Sequence, residues 1–153
     1  MNKDYTSLIK KLRKSKSKQV DEVFLKLHSD EMSKINCLGC ANCCKSLGPR
    51  IVDSDIRRIS AFLKMKPTGF IEKYLKIDEV NDYVFKSMPC PFLDDENYCV
   101  VYKVRPKACK DYPHTDQKNI LSILDICVKN TETCPVVINI FAKLERICSN
   151  GKF

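Results

Sequence analysis

Cys37-Leu38-Gly39-Cys40-Ala41-Asn42-Cys43-Cys44 places four thiols within eight residues. A thiolate is both a nucleophile and a soft metal ligand, and two Cys separated by two residues can bite one cation. Gly39 supplies the backbone freedom that a tight chelating turn needs. Six more Cys follow, at positions 90, 99, 109, 127, 134 and 148, so this stretch has distant partners. The pattern implies a metal or redox centre. Apolar residues at helical spacing along the rest of the chain predict a mostly α fold with short β segments, a small α+β domain whose helices surround a cysteine-lined centre.

Length and composition set the frame. A chain of 153 residues is one domain by size and can bury a substantial core. Within it the sequence divides into an N-terminal helical arm, residues 1–35, leading into a cysteine-cluster domain, residues 36–150. With only 4 Gly and no Trp, the chain does not resemble a loop-rich disulfide miniature. The N-terminus carries no apolar stretch of the signal-peptide kind, and no run of about 18 apolar residues suggests a membrane span. The expected compartment is therefore the cytoplasm, where thiols stay reduced and clustered thiols serve as metal ligands rather than disulfides.

A formal charge of +8 arises from 27 basic and 19 acidic residues. Lys10, Lys11, Arg13, Lys14, Lys16 and Lys18 form a run without an intervening acid. Such a run can neutralise phosphates, but a solvated helix face accounts for it more simply. No zinc-finger spacing or aromatic RNA motif accompanies it, so a nucleic-acid binder with structural zinc is the least favoured function.

Apolar spacing places the elements. Tyr5, Leu8, Ile9 and Leu12 recur at helical intervals behind Asp4, which is placed to cap them. Val20, Val23, Phe24 and Leu27 repeat the pattern, giving two helices or one bent helix. His28 falls at the margin of that face and is read as a half-buried surface residue. Leu47-Gly48-Pro49 breaks any helix, and Arg50-Ile51-Val52 is extended. Asp53 or Ser54 should cap a helix with Ile56, Ile59 and Phe62 or Leu63 inward. Phe70, Ile71, Tyr74 and Leu75 make another helix, and Tyr83-Val84-Phe85 a short strand. Asp94 to Asn97 is turn material, suggesting a hairpin with Cys90 and Cys99 near its outer ends. Pro106 and Pro113 bracket Cys109 in a constrained turn. Ile120 to Ile126 fits either a strand or a buried helix. Pro135, Val137, Ile140, Phe141, Leu144 and Ile147 define a last helix that ends near Gly151. It places Cys134 at a helix start, which favours thiolate.

Cys37, Cys40 and Cys43 with a remote Cys134-Pro135 partly match an iron–sulfur ligand run, while a zinc site would use four Cys. Adjacent Cys43 and Cys44 are not expected to face one cation with ease. Cys127 and Cys148 sit among apolar residues and are read as packing. With these residues in place, the sequence resembles the bacterial CxxCxxCC family, described as zinc- or iron-chelating, over about residues 20–145. The resemblance rests on Cys37-x2-Cys40-x2-Cys43-Cys44, Asp55-Ile56, Cys90-Pro91-Phe92-Leu93, Cys99-x2-Tyr102-x2-Arg105-Pro106, Cys109, Tyr112-Pro113 and Cys134-Pro135. It implies a metal ion or cluster as partner, either iron–sulfur or Zn, which sequence does not separate. The implied ligands are Cys37, Cys40, Cys43, Cys44, Cys90, Cys99, Cys109 and Cys134, converging in space, with Arg105 and Tyr112 supporting them. The implied role is a redox, chelating or accessory module. One relative, the lysine N-methylase of flagellin, looks like it carries a related cluster in a longer chain. An alternative is therefore a metal-dependent enzyme of protein lysine methylation using Arg105, Asp111, Tyr112 and His114. No nucleophile–base pair or nucleotide-binding Gly loop supports it.

Overall fold

Apolar residues three and four apart produce helices along most of the chain in the computed structural model, which describes residues 4–151. The first three and last two residues lie outside that description. The helices are α1 (Thr6–Lys14), α2 (Ser17–Met32), α3 (Cys37–Cys40), α4 (Asn42–Ser46), α5 (Asp53–Phe62) and α6 (Pro67–Tyr74). Two short strands follow, β1 (Leu75–Ile77) and β2 (Tyr83–Phe85), and then α7 (Lys107–Asp111), α8 (Leu124–Asn130) and α9 (Pro135–Ser149). Helix dominates and the only regular sheet among the described residues is two-stranded, so the chain is mostly α with short β. No helix among the described residues is long and apolar enough to cross a membrane. Contacts divide the chain into two units, residues 4–36 with 113–151, and residues 37–112.

In the first unit, α2 packs on α9, with α1 and α8 completing the layer. Leu8, Leu12, Val20, Phe24 and Leu27 meet Val137, Ile140, Phe141 and Leu144 in one core. Tyr5 and Phe24 both present ring edges to Phe141, at centroid separations of 4.9 and 6.1 Å. Asp4 holds the start of α1, its carboxylate accepting from the Thr6 N–H at 2.8 Å. The chain breaks between α1 and α2 at Ser15, which is extended. The open choice at Ile120–Ile126 resolves as a 3-10 turn, Ile120–Ile123, running into α8. Ile120 and Leu124 fill the core from there, and Asp21 of α2 fixes the entry by accepting the N–H groups of Asn119 and Ile120, both at 2.9 Å. Cys127 and Cys148 are buried in the same core. Gly151 ends α9 with φ +68°, a left-handed conformation that favours glycine. The Lys10 to Lys18 side chains face water while Leu8 and Leu12 face inward.

The second unit is built on Ile51, Ile56, Ile59, Phe70, Leu75, Phe85, Phe92 and Val101. β1 and β2 pair antiparallel with Leu75 opposite Phe85 and Ile77 opposite Tyr83. Extended Ile51 adds one bridge to Tyr83. Phe92 stands among Phe70, Tyr74 and Phe85, at 4.9 to 6.2 Å from each ring. That contact carries the Cys90–Cys99 loop on the core. Two local expectations are corrected. Val52, not Asp53 or Ser54, occupies the cap of α5, because the carboxylate reaching back to it is that of Asp55, on the Val52 N–H at 3.2 Å. Of the alternatives Phe62 and Leu63, it is Leu63 that packs against the core, while Phe62, at the last position of α5, is 48% exposed. Around Asp94 the chain forms a hairpin-like loop closed by one bridge, Leu93 to Cys99, rather than paired strands. The Asp94 carboxylate accepts the Glu96 and Tyr98 N–H groups at 3.0 and 2.7 Å, which fixes the turn.

Candidate metal centre

The CxxCxxCC stretch is two short helical turns, α3 and α4, joined at Ala41. Ala41 is buried and left-handed, with φ +48°. A non-glycine residue there costs roughly 1–2 kcal/mol. The Ala41 N–H donates to the Cys37 carbonyl at 2.8 Å, and the Lys45 N–H donates to the Ala41 carbonyl at 3.0 Å. These bonds hold the joint, so Cys37 and Cys40 come from one turn and Cys43 and Cys44 from the next.

Three further thiols reach this stretch within the same unit. The Cys90 N–H donates to the Cys44 carbonyl at 2.8 Å, tying the second cysteine segment to the first. Cys99 lies across the loop from Leu93, whose N–H donates to the Cys90 carbonyl at 3.1 Å. Cys109 is the third residue of α7, its N–H on the Pro106 carbonyl at 3.0 Å. Cys134 belongs to the other unit, where it caps α9 and packs against that unit's core.

Electrostatics records the crowding. Cys43 donates its S–H to the Cys44 sulfur, holding Cys44 below the ordinary thiol value and driving Cys43 far above it. The two adjacent sulfurs thus turn towards each other. The fold of α4 as a single short turn allows it. Burial raises Cys90, and the charges of Cys99 and Cys43 raise it further. Burial pushes Cys109 up to about 12, with Cys90, Cys43 and Cys99 adding to the shift. Cys37 is raised by burial and then by Cys43 and Cys40. Cys99 is raised by burial, against the Arg105 charge, which also opposes the rise at Cys109. Arg105 donates to the Tyr102 carbonyl at 3.0 Å and lies over the Tyr102 ring, 4.0 Å from its centroid. Tyr112 is the residue that ends α7.

The donor set suits zinc or iron. Sulfur ligands select these soft or borderline metals, and like-charged neighbours that resist losing protons singly lose them together to a cation. Among the described residues no three Cys, His, Asp or Glu side chains close on a common point. The thiols of residues 37–109 are electrostatic neighbours, and none of the ten is in a disulfide.

Residues 36–135 match the family "CxxCxxCC: Putative zinc- or iron-chelating domain". The chain belongs to that family. It is also similar to Uncharacterized protein MJ0661 of Methanocaldococcus jannaschii, with 29% identity over 87 residues. That stretch covers 54% of this chain and 46% of the relative, about half the relative's length. No solved structure matches the chain.

Within the CxxCxxCC segment, the structure adds residues that were not read as part of the site. Asp55 is completely buried at the start of α5. Its carboxylate accepts the Lys107 N–H at 3.1 Å and pairs with Arg58 at 2.6 Å. Arg58 in turn donates to the Arg105 carbonyl at 2.9 Å. Asp55 was visible as part of the family pattern, but Arg58 carried no signal. Asp111 pairs with Lys107, and His114 lies just past the return to the first unit at Pro113. His28 shares a 2.8 Å hydrogen bond with Thr115 there, away from the cysteines in sequence.

Proposed function

We propose that this chain holds zinc or iron on the thiolates of residues 37–109 and serves as a redox, chelating or accessory module. The observation that carries the reading is the 2.8 Å bond from the Cys90 N–H to the Cys44 carbonyl. It joins two cysteine segments 46 residues apart into one neighbourhood, where Cys99 and Cys109 also act on Cys44. Cys44, Cys90, Cys99 and Cys109 are the proposed four-sulfur set, with Cys43 beside them and Cys37 and Cys40 next in reach. All seven except Cys37 are half-buried, so none is locked in the core as Cys127 is. A bound zinc would supply a fixed charge and a structural tie, and a bound iron–sulfur cluster one-electron chemistry. The cytoplasm is the proposed setting, since thiolates persist as ligands in a reducing compartment.

Anaerobic purification of the full chain followed by metal and acid-labile sulfide analysis tests this reading. Zinc or iron near stoichiometry with the chain is expected, with sulfide present only for a cluster. Cys44→Ser and Cys90→Ser should each lower the metal content. A chain that is metal-free as isolated and takes up neither metal would overturn the proposal.

A further inference from the structure

Cys109 sits on α7, which by itself is too short to hold a position. Five residues give barely one hydrogen-bonded turn, and an isolated turn is not stable in water. Something outside the helix must fix it. The start of α7 is anchored from α5, across 52 residues of sequence, by the Asp55 carboxylate on the Lys107 N–H at 3.1 Å. Arg105, two residues before Lys107, is anchored from the same place, by the Arg58 guanidinium on its carbonyl at 2.9 Å. One carboxylate oxygen serves both Lys107 and Arg58, so the two anchors form one unit. Its second oxygen accepts the Val52 N–H at 3.2 Å and fixes the carboxylate to the start of α5. α5 is rigid through Ile56 and Ile59, which lie in the core. Asp55 is completely buried, so its carboxylate is shielded from water.

We propose that Asp55 and Arg58 are positioning residues for the metal ligand Cys109, acting through the Arg105–Lys107 backbone that they clamp. The inference rests on the proposed metal-binding function and goes beyond it. A carboxylate that anchors the turn before a ligand removes the freedom the ligand would otherwise lose on binding. Neither residue touches the metal in this assignment.

The test is a double-substitution cycle on the full chain, prepared anaerobically without metal and titrated with Co(II). The readouts are affinity and the sulfur-to-cobalt charge-transfer intensity per bound Co(II), with circular dichroism monitoring the fold. Asp55→Asn should weaken Co(II) binding on the order of 10- to 100-fold, the range typical of residues that orient ligands. Charge-transfer intensity should fall as Cys109 drops out. In a Cys109→Ser background, Asp55→Asn should have no further effect on affinity. If Asp55→Asn fails to fold, Arg58→Lys takes its place in the same cycle. Unchanged affinity and spectrum, or an equal loss with and without Cys109, would overturn the positioning role while leaving the metal reading intact. An unsubstituted chain that takes up no Co(II) would instead overturn the metal reading and this proposal with it.

Discussion

Glu31 is a carboxylate almost wholly removed from water, and its partners explain why it stays charged. Lys143 and Lys34 donate to one oxygen and Asn139 to the other, with Lys34 and Asn139 at 3.0 Å. The Lys143 bond, then the Lys34 bond, hold its pKa down from 4.5 to about 2, against burial. A carboxyl with a depressed folded pKa adds stability above its unfolded value and loses it as pH falls through the folded one. The α2–α9 contact should therefore weaken between about pH 5 and pH 2. Glu31→Gln should cost about 1–3 kcal/mol at neutral pH and flatten that acid limb, measured by denaturant unfolding across pH. A pH profile identical to that of the unsubstituted chain would exclude the role. At the same scale, cysteines differ by surroundings. Burial in the apolar first core pushes Cys127 up to about 12, with no other thiol acting on it. Cys127→Ser should therefore destabilise more than Cys127→Ala, because it buries a hydroxyl. Neither should change metal content, and a loss of metal in either would make Cys127 a ligand.

Elements were legible in proportion to how local their causes are. The apolar spacing of Tyr5 to Leu12, Val20 to Leu27 and Val137 to Leu144 reports a helix period, and α1, α2 and α9 follow it. Turn chemistry at Leu47-Gly48-Pro49 and at Gly151 is equally local. What the sequence did not show is pairing across distance. Nothing in Asp55 announces an acceptor for a backbone N–H 52 residues on, nor in Asp21 an acceptor for two nearly 100 residues on. The expected cap of α5 was misplaced because Asp53, Ser54 and Asp55 are all competent, and it is Asp55, three residues on, that reaches back to the Val52 N–H. The hairpin at Cys90–Cys99 is shorter than its apolar flanks suggest, because Pro91 has no N–H to donate and Val101 leads into a 3-10 turn at Tyr102–Val104. Asp21 gives an element-scale prediction. Asp21→Ala should cost about 1 kcal/mol by leaving the Asn119 and Ile120 N–H groups without their acceptor. Thermal unfolding measures it, and a change under a few tenths of a kcal/mol would mean solvent replaces the carboxylate.

At the scale of the whole molecule, the two units are stabilised in unequal ways. Among the described residues the first core gathers fifteen buried side chains and the second eight. A segment the size of residues 37–112 sits near the limit at which an apolar core suffices without a staple such as a metal. The cysteines lie where that shortfall is, since seven of the eight family thiols belong to this unit. Unpaired by a cation, their thiolate forms oppose one another, so a bound metal should contribute to folding there and not in the first unit. Hydrogen exchange on the full chain, before and after anaerobic chelation, separates the two. The Cys90 and Lys107 amides, which donate to the Cys44 carbonyl and the Asp55 carboxylate, should lose protection on metal removal. Core amides of α2 and α9 should keep theirs, since Phe24, Ile140, Phe141 and Leu144 pack without any thiol of residues 37–109. Equal loss in both units would mean that the metal supports the whole chain. No loss in residues 37–112 would mean that the small second core stands without it.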